Sequence, residues 1–175
     1  RILRAIRFEQ RYGFRIGPQT KRLIKNAMKL KLVDKLSGSR LFHEIGLILE
    51  EETAISCLER MQSFGILESI HPKLRITPKK RKVLEEIETV ISWHRLLYRD
   101  IIPETWLLYS LGLCMNWKYK DTLALTRRLN FPKRQEREFL ELRLSVFEAI
   151  EKLAHWHKHD GSISTLSAIL STLPL

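Results

Sequence analysis

Arginine recurs at positions 1, 4, 7 and 11, inside the stretch RILRAIRFEQRYGFRI. A guanidinium presents several donors in a rigid planar fork, which suits a phosphate or the edge of a nucleobase. A lysine would offer only a point charge. On a helix, Arg4, Arg7 and Arg11 fall at three- and four-residue spacing and form one stripe. Leu3 and Ile6 form another, which Gln10 or Phe14 can continue. The cations are concentrated: residues 1–35 hold eleven Lys or Arg and only Glu9 and Asp34 as acids, so most of the formal charge of +11 lies in one fifth of the chain. Such a field favours a polyanionic partner, with nucleic acid ahead of an anionic membrane surface. A solvated basic face without a partner is the third reading.

Other chemistry finds less support. There is no Gly-rich phosphate loop, nucleophile elbow or strand-borne Asp-x-Asp. His155 and His159 would share a helix face beside Asp160 and could hold a metal. However, the helix ends there, and its dipole favours histidine without any ion. His94, in WHRLLY, reads as a core or boundary histidine. Cys57 and Cys114 are far apart in apolar helical contexts and read as buried free thiols. The acid runs at 50–52 and 85–88 read as solvated surface. The basic groups KKRK at 79–82 and KRQER at 133–137 follow helix starts, where the dipole disfavours cations, so RNA phosphate is one reason for their placement.

The elements that must position these groups read as helix after helix. The first runs from Arg1 to about Tyr12, with Gly13 as its C-terminal signal. Pro18 opens a second, to about Leu30, with Leu23, Ile24 and Ala27 on its apolar face and Arg22, Lys25 and Lys29 on its wet one. Ser37 or Ser39 caps a third, with Leu41, Ile45, Ile48 and Leu49 buried. Further helices are expected over 53–64 and from Thr77-Pro78 to about Arg99. Another runs from Pro103 to near Cys114, and one over 122–129 is capped by Asp121. A long helix follows from Pro132 to about His157, and the last covers 162–171. ILESIHP is a short turn or partial helix. The fold class is all-α, an assembly of packed antiparallel helices. The loops are too short for a flexible interdomain linker, with 100–102 and 115–120 the best hinges. No apolar run is long enough to span a membrane.

Three stretches occur in order: RILRAIRFEQRYGFRI at 1–16, LSGSRLFHEIGLIL at 36–49 and SFGILESIHP at 63–72. Together they resemble the class II tRNA nucleotidyltransferases, the CCA-adding enzymes and their poly(A)-polymerase relatives. The first is similar to a motif written Glu-Asp-x-x-Arg followed by Ile/Leu-x-Arg-Ala-x-Arg-Phe. The second matches Arg-x-x-x-Glu-x-x-x-x-Leu through Arg40, Glu44 and Leu49. LTRRLNFPKRQERE at 125–138 resembles the later body region, so the likeness covers the whole chain. Many members carry Glu before the motif arginine, where this chain has Ser39.

The resemblance implies a neck-like region at 1–65, a body-like region at 66–160 and the start of a truncated tail at 161–175, lacking the family's nucleotidyltransferase head. Arg1 would be the last member of Glu-Asp-x-x-Arg, reading the incoming base, with Arg4 and Arg7 assigned to nucleotide binding beside it. Arg40 and Glu44, which can pair at i,i+4, would support the pocket. Arg22, Lys25 and Lys29 would hold RNA. The implied partners are the tRNA acceptor arm, with ATP and possibly CTP, in a bacterial cytoplasm. Mg²⁺ is expected in the missing head, and the present residues alone should be inactive. SGSRLFHE and WHRLLY look closer to the A-adding group, while CCA addition, A addition and poly(A) synthesis all stay open. The competing class is a non-catalytic helical RNA-binding or protein-interaction module.

Overall fold

A computed structural model describes residues 1–97, 104–158 and 162–171, and among them every regular element is a helix. The described chain forms two compact units, Arg1–Phe131 and Pro132–Leu175. The first holds α1 (Ile2–Arg11), α2 (Pro18–Lys29), α3 (Gly38–Leu49), α4 (Ala54–Ser63), α5 (Ile66–Ile70), α6 (Pro78–Leu96), α7 (Thr105–Leu113) and α8 (Tyr119–Leu129). The second holds α9 (Lys133–Lys158) and α10 (Ile163–Leu170), which pack on each other. In that unit the Trp156 indole N–H donates to the Ser162 carbonyl at 2.9 Å, while the Ser162 hydroxyl caps α10.

In the first unit α3 is central, packed against α1, α4, α7 and α8. Its stripe of Leu41, Ile45, Ile48 and Leu49 is buried, as the periodicity predicts. Leu3 and Ile6 of α1 and Leu58 and Met61 of α4 join that core. The third buried position on α1 is neither Gln10 nor Phe14. Phe14 is 66% exposed, and the carboxylate of Glu9 takes the place at 7% exposure. A buried carboxylate is costly unless it is paired and hydrogen-bonded. Here Arg60 of α4 donates from Nε and from an Nη to the two Glu9 oxygens at 2.6 and 2.9 Å, and the Ile16 N–H adds a third bond at 2.9 Å. Burial pushes the Glu9 carboxyl up, but the Arg60 hydrogen bond, the Ile16 amide and the Arg60 charge together outweigh it and hold it below its ordinary value. One side chain thereby fixes α1 to α4 and anchors the turn leaving α1. Gly13 in that turn has φ +65°, a conformation open to glycine without a Cβ penalty.

Helix starts follow their local signals with two corrections. Thr77 caps α6, its hydroxyl accepting from the Lys80 N–H at 3.3 Å, with Pro78 first in the helix. Ser37 occupies the N-cap position of α3, yet its hydroxyl makes no capping bond. Asp121 is not a cap either. The helix begins earlier, at Tyr119, and Asp121 lies in its first turn, paired with Lys73 at 2.5 Å. Asn130 ends α8 at φ +49°, as expected. Leu23 of α2 is 62% exposed, so only Ile24 of the expected apolar face is deeply buried. The segment after α5 is held without a strand partner: the Gln62 amide accepts from the Ile76 N–H at 2.5 Å and donates to the Ile76 carbonyl at 3.2 Å. Pro103, the expected hinge at 100–102, the end of the helix near Arg99, and His159 with Asp160 lie outside the described residues.

Glu9→Gln removes the charge and keeps the shape, so the unfolding free energy near pH 7 should fall by about 1.5–3 kcal/mol. The lowered carboxyl pKa sets the direction of the pH effect. The contribution is present above the ordinary carboxylate range and is lost as pH falls through the folded-state value. Urea unfolding of both proteins from pH 7 down to pH 3 should therefore show the difference shrinking in acid. A pH-independent gap would mean that charge pairing is not what Glu9 supplies.

Candidate nucleotide and RNA interface

A pocket of about 270 Å³ opens between the start of α1, the end of α2, the turn after α2 and the start of α3. Leu3, Val33 and Leu41 give it an apolar floor, and Arg1, Arg40 and Glu44 stand on its polar side. Two forked donors and one carboxylate beside an apolar floor suit a flat ligand with a polar edge. The sequence-predicted trio thus meets at one place. Arg40 and Glu44 share a face of α3, both line the pocket, and no ion pair joins them.

Arg4 and Arg7 are not brought into that pocket. Each three-residue step turns the side chain by about 60° around the helix, so the stripe winds away from Arg1. Arg4 is exposed, with its guanidinium 5.2 Å from the centre of the Phe8 ring. Arg7 keeps only 13% of its side chain exposed and lies 3.8 Å from Glu51, which Arg11 also approaches at 3.4 Å. Arg22, Lys25 and Lys29 are all exposed on α2, and among the described residues no carboxylate pairs with any of them. Cys57 is buried and free, and burial pushes its thiol up to about 11, so it is no nucleophile near neutrality. No helix among the described residues is long and apolar enough to cross a membrane.

The pocket wall depends on a residue that sequence reasoning passed over. The turn over residues 31–36 contributes Leu32, Val33 and Leu36. Arg128 of α8 donates to the carbonyls of Val33 at 3.0 Å, Leu36 at 3.1 Å and Asp34 at 3.3 Å. Three carbonyls around one guanidinium use the fork geometry that lysine lacks. Beside this clamp α3 begins at Gly38, where an added Cβ would lie 2.5 Å from the Arg128 carbonyl oxygen and 2.8 Å from Asn130 Cβ. The only sequence sign of this contact is the RR of LTRRLNF, which does not say which arginine turns inward.

Comparison with known proteins places the site in context. Residues 13–76 match the family described as "Probable RNA and SrmB- binding site of polymerase A". That segment contains α2, Arg40 and Glu44 but not Arg1. The A-adding tRNA nucleotidyltransferase of Geobacter sulfurreducens is 38% identical over 151 residues, covering 86% of this chain and 17% of that protein. The A-adding tRNA nucleotidyltransferase of Aquifex aeolicus is 30% identical over 155 residues, covering 87% and 19%. A tRNA nucleotidyltransferase solved with a primer tRNA and an incoming ATP analogue superposes with a TM-score of 0.71 at 27% identity, covering 87% of this chain and 45% of that one. The chain therefore spans less than a fifth of the length of either A-adding relative.

Arg128→Ala should lower the unfolding free energy by about 1–3 kcal/mol and should release the turn. Amide hydrogen exchange at Asp34 and Leu36 is the direct measurement. Protection there should fall more than in α6, and Arg128→Lys should restore little of it. Equal protection in wild type and Arg128→Ala would remove Arg128 as the clamp.

Proposed function

We propose, from the premise that the chain belongs to the tRNA nucleotidyltransferase family, that it is the nucleotide-selecting and RNA-holding portion of an enzyme adding nucleotides to RNA 3′ ends. The supporting observation is the meeting of Arg1, Arg40 and Glu44 around one pocket. In this reading Arg1 presents its donor fork to the edge of an incoming ATP or CTP base, and Arg40 and Glu44 shape the pocket beside it. Residues 1–65 serve as a neck and 66–160 as a body. The start of a tail lies at 161–175. Arg4 and Arg7 join by a less direct route: Arg7 holds α1 against Glu51, and Arg4 keeps an exposed cation beside the pocket helix.

The exposed cations Arg22, Lys25 and Lys29 hold the backbone of a tRNA acceptor arm, whose shape rather than sequence is read through phosphates. Among the described residues no group of three or more His, Cys, Asp or Glu side chains could hold a metal ion. The magnesium that phosphoryl transfer implies does not fit these residues and belongs to a catalytic head elsewhere in the intact protein. In this reading the residues present bind and orient, and the transfer itself is assigned to the head. The matched relatives are bacterial, which supports a bacterial source and, with it, action in the cytoplasm.

In the intact enzyme, Arg1→Ala should cut discrimination between nucleoside triphosphates by about tenfold, equivalent to about 1.4 kcal/mol. Its tRNA affinity should change far less. Steady-state kcat/KM for each nucleotide, with filter binding of tRNA, separates the two. Undiminished selectivity would contradict the base-reading role. Replacing Arg22, Lys25 and Lys29 together by Gln should weaken tRNA binding and reduce the slope of log affinity against log salt by about 2–3. An unchanged slope would make α2 a merely solvated face.

A further inference from the structure

A second basic cavity, of about 360 Å³, lies away from the nucleotide pocket, between residues 72–80 and the turn at 115–117. Four cations line it, Lys73, Arg75, Lys79 and Lys80, and no carboxylate does. Lys73 is answered from outside the cavity by Asp121. Lys80 is the informative residue. Its partly buried ammonium has the Lys73 carbonyl at 3.4 Å and the face of Trp117 at 5.1 Å, with no carboxylate among the described residues in ion-pair range. Burial pushes its pKa down; the nearby Cys114 opposes this and Arg75 adds to it, and the net direction is down. Folding has therefore partly desolvated a cation and left it without a counter-ion, a cost that a bound anion would relieve.

The walls are built rather than loose. The buried His71 ring stacks on Trp117 with centroids 4.6 Å apart, and the His71 Nδ1 accepts from the Lys73 N–H at 3.2 Å. The two Gln62 bonds to Ile76 fix the strand-like stretch that carries Arg75. The first turn of α6, capped by Thr77, brings Lys79 and Lys80 to the rim. One partly buried cation ringed by three exposed ones, around a cavity large enough for a phosphate and its sugar, suits a nucleic-acid backbone better than a flat anionic surface.

We propose that this cavity is an RNA phosphodiester site, a second point of RNA attachment beyond α2, partly outside the segment matched to the RNA-binding family. The proposal rests on the reading that the chain binds RNA. It gives the KKRK run a purpose: two of its members, Lys79 and Lys80, converge on one backbone phosphate.

The test uses the intact protein with an acceptor-stem RNA hairpin as probe, and inorganic phosphate and ATP as controls. Arg75→Gln with Lys79→Gln changes two exposed side chains and should leave folding intact. Lys80→Met keeps the aliphatic stem against Trp117 and removes the charge. Each should weaken hairpin binding on the order of tenfold near 0.1 M salt, and the double variant should lower the salt slope by about 1–2. The loss should add to that of the α2 triple variant. Wild-type affinity in both cavity variants, with the α2 variant still impaired, overturns this site and leaves the RNA-binding reading standing. Failure of the wild type to bind the hairpin at all overturns that parent reading and this proposal with it. Binding of phosphate or ATP that Lys80→Met abolishes, with hairpin affinity unaltered, would make the cavity a small-anion site and overturn the RNA assignment.

Discussion

A carboxylate buried under a helix has to be answered by a cation, and the Glu9–Arg60 pair sets the geometry from which much of the first unit follows. It joins α1 to α4 across 51 residues of sequence and takes a third bond from the amide of Ile16. Exposure of Arg60 is 26% at the side chain, so solvent screens one end of the pair while Glu9 stays buried. Helix propensity and apolar burial would allow α1 to roll about its axis over α3 and α4. A bidentate pair between planar groups removes that freedom. The roll of α1 in turn decides which arginine meets the pocket. With Glu9 turned towards α4, Arg1 lines the pocket with Arg40 and Glu44, and Arg7 falls beside Glu51.

The pocket's other wall is set by a different device. A turn between α2 and α3 has carbonyls that no helix satisfies, and water would take them in a mobile loop. Arg128 takes three of them instead. The close approach of α8 that this requires leaves no room for a side chain at residue 38. Gly38 and Arg128 are therefore two ends of one constraint, and the pocket between α1, α2 and α3 inherits its shape from α8, which does not line it.

Much of the fold was legible because helix boundaries are local physics. Pro18 and Thr77-Pro78 start helices and Asn130 ends one through their own backbone preferences. The all-helical class and the buried face of α3 follow from spacing alone. The errors came where a distant partner overrides a local signal. Asp121 looks like a cap until Lys73, 48 residues away, claims it. Gln10 or Phe14 looks like the next position on the Leu3–Ile6 face until Arg60 draws Glu9 in. The pocket trio was legible through its ordered motifs, but the fates of Arg4 and Arg7 were not. Which side of a helix faces a partner depends on the roll of that helix, and only tertiary contacts fix the roll.

The same logic explains how a chain with both signs of charge can present strongly positive sites. The acids are not spread evenly against the bases. Glu9 and Asp121 each sit in an internal or inter-helix pair, as does Glu51, and Arg81 draws in Glu59 and Glu85. Each of these five carboxylates is thereby neutralised by a nearby cation, though Glu59 and Glu85 stay at the surface. Among the described residues no carboxylate pairs with the α2 cations or with Lys80, and in the cavity around Lys80 only Lys73 is paired, with Asp121. An isolated cation in water exerts little pull beyond a Debye length of about 8 Å. A cluster of cations around a partly buried one, beside low-dielectric walls, keeps more of its field. The clamps that hold the helices together therefore also determine where the chain remains attractive to a polyanion.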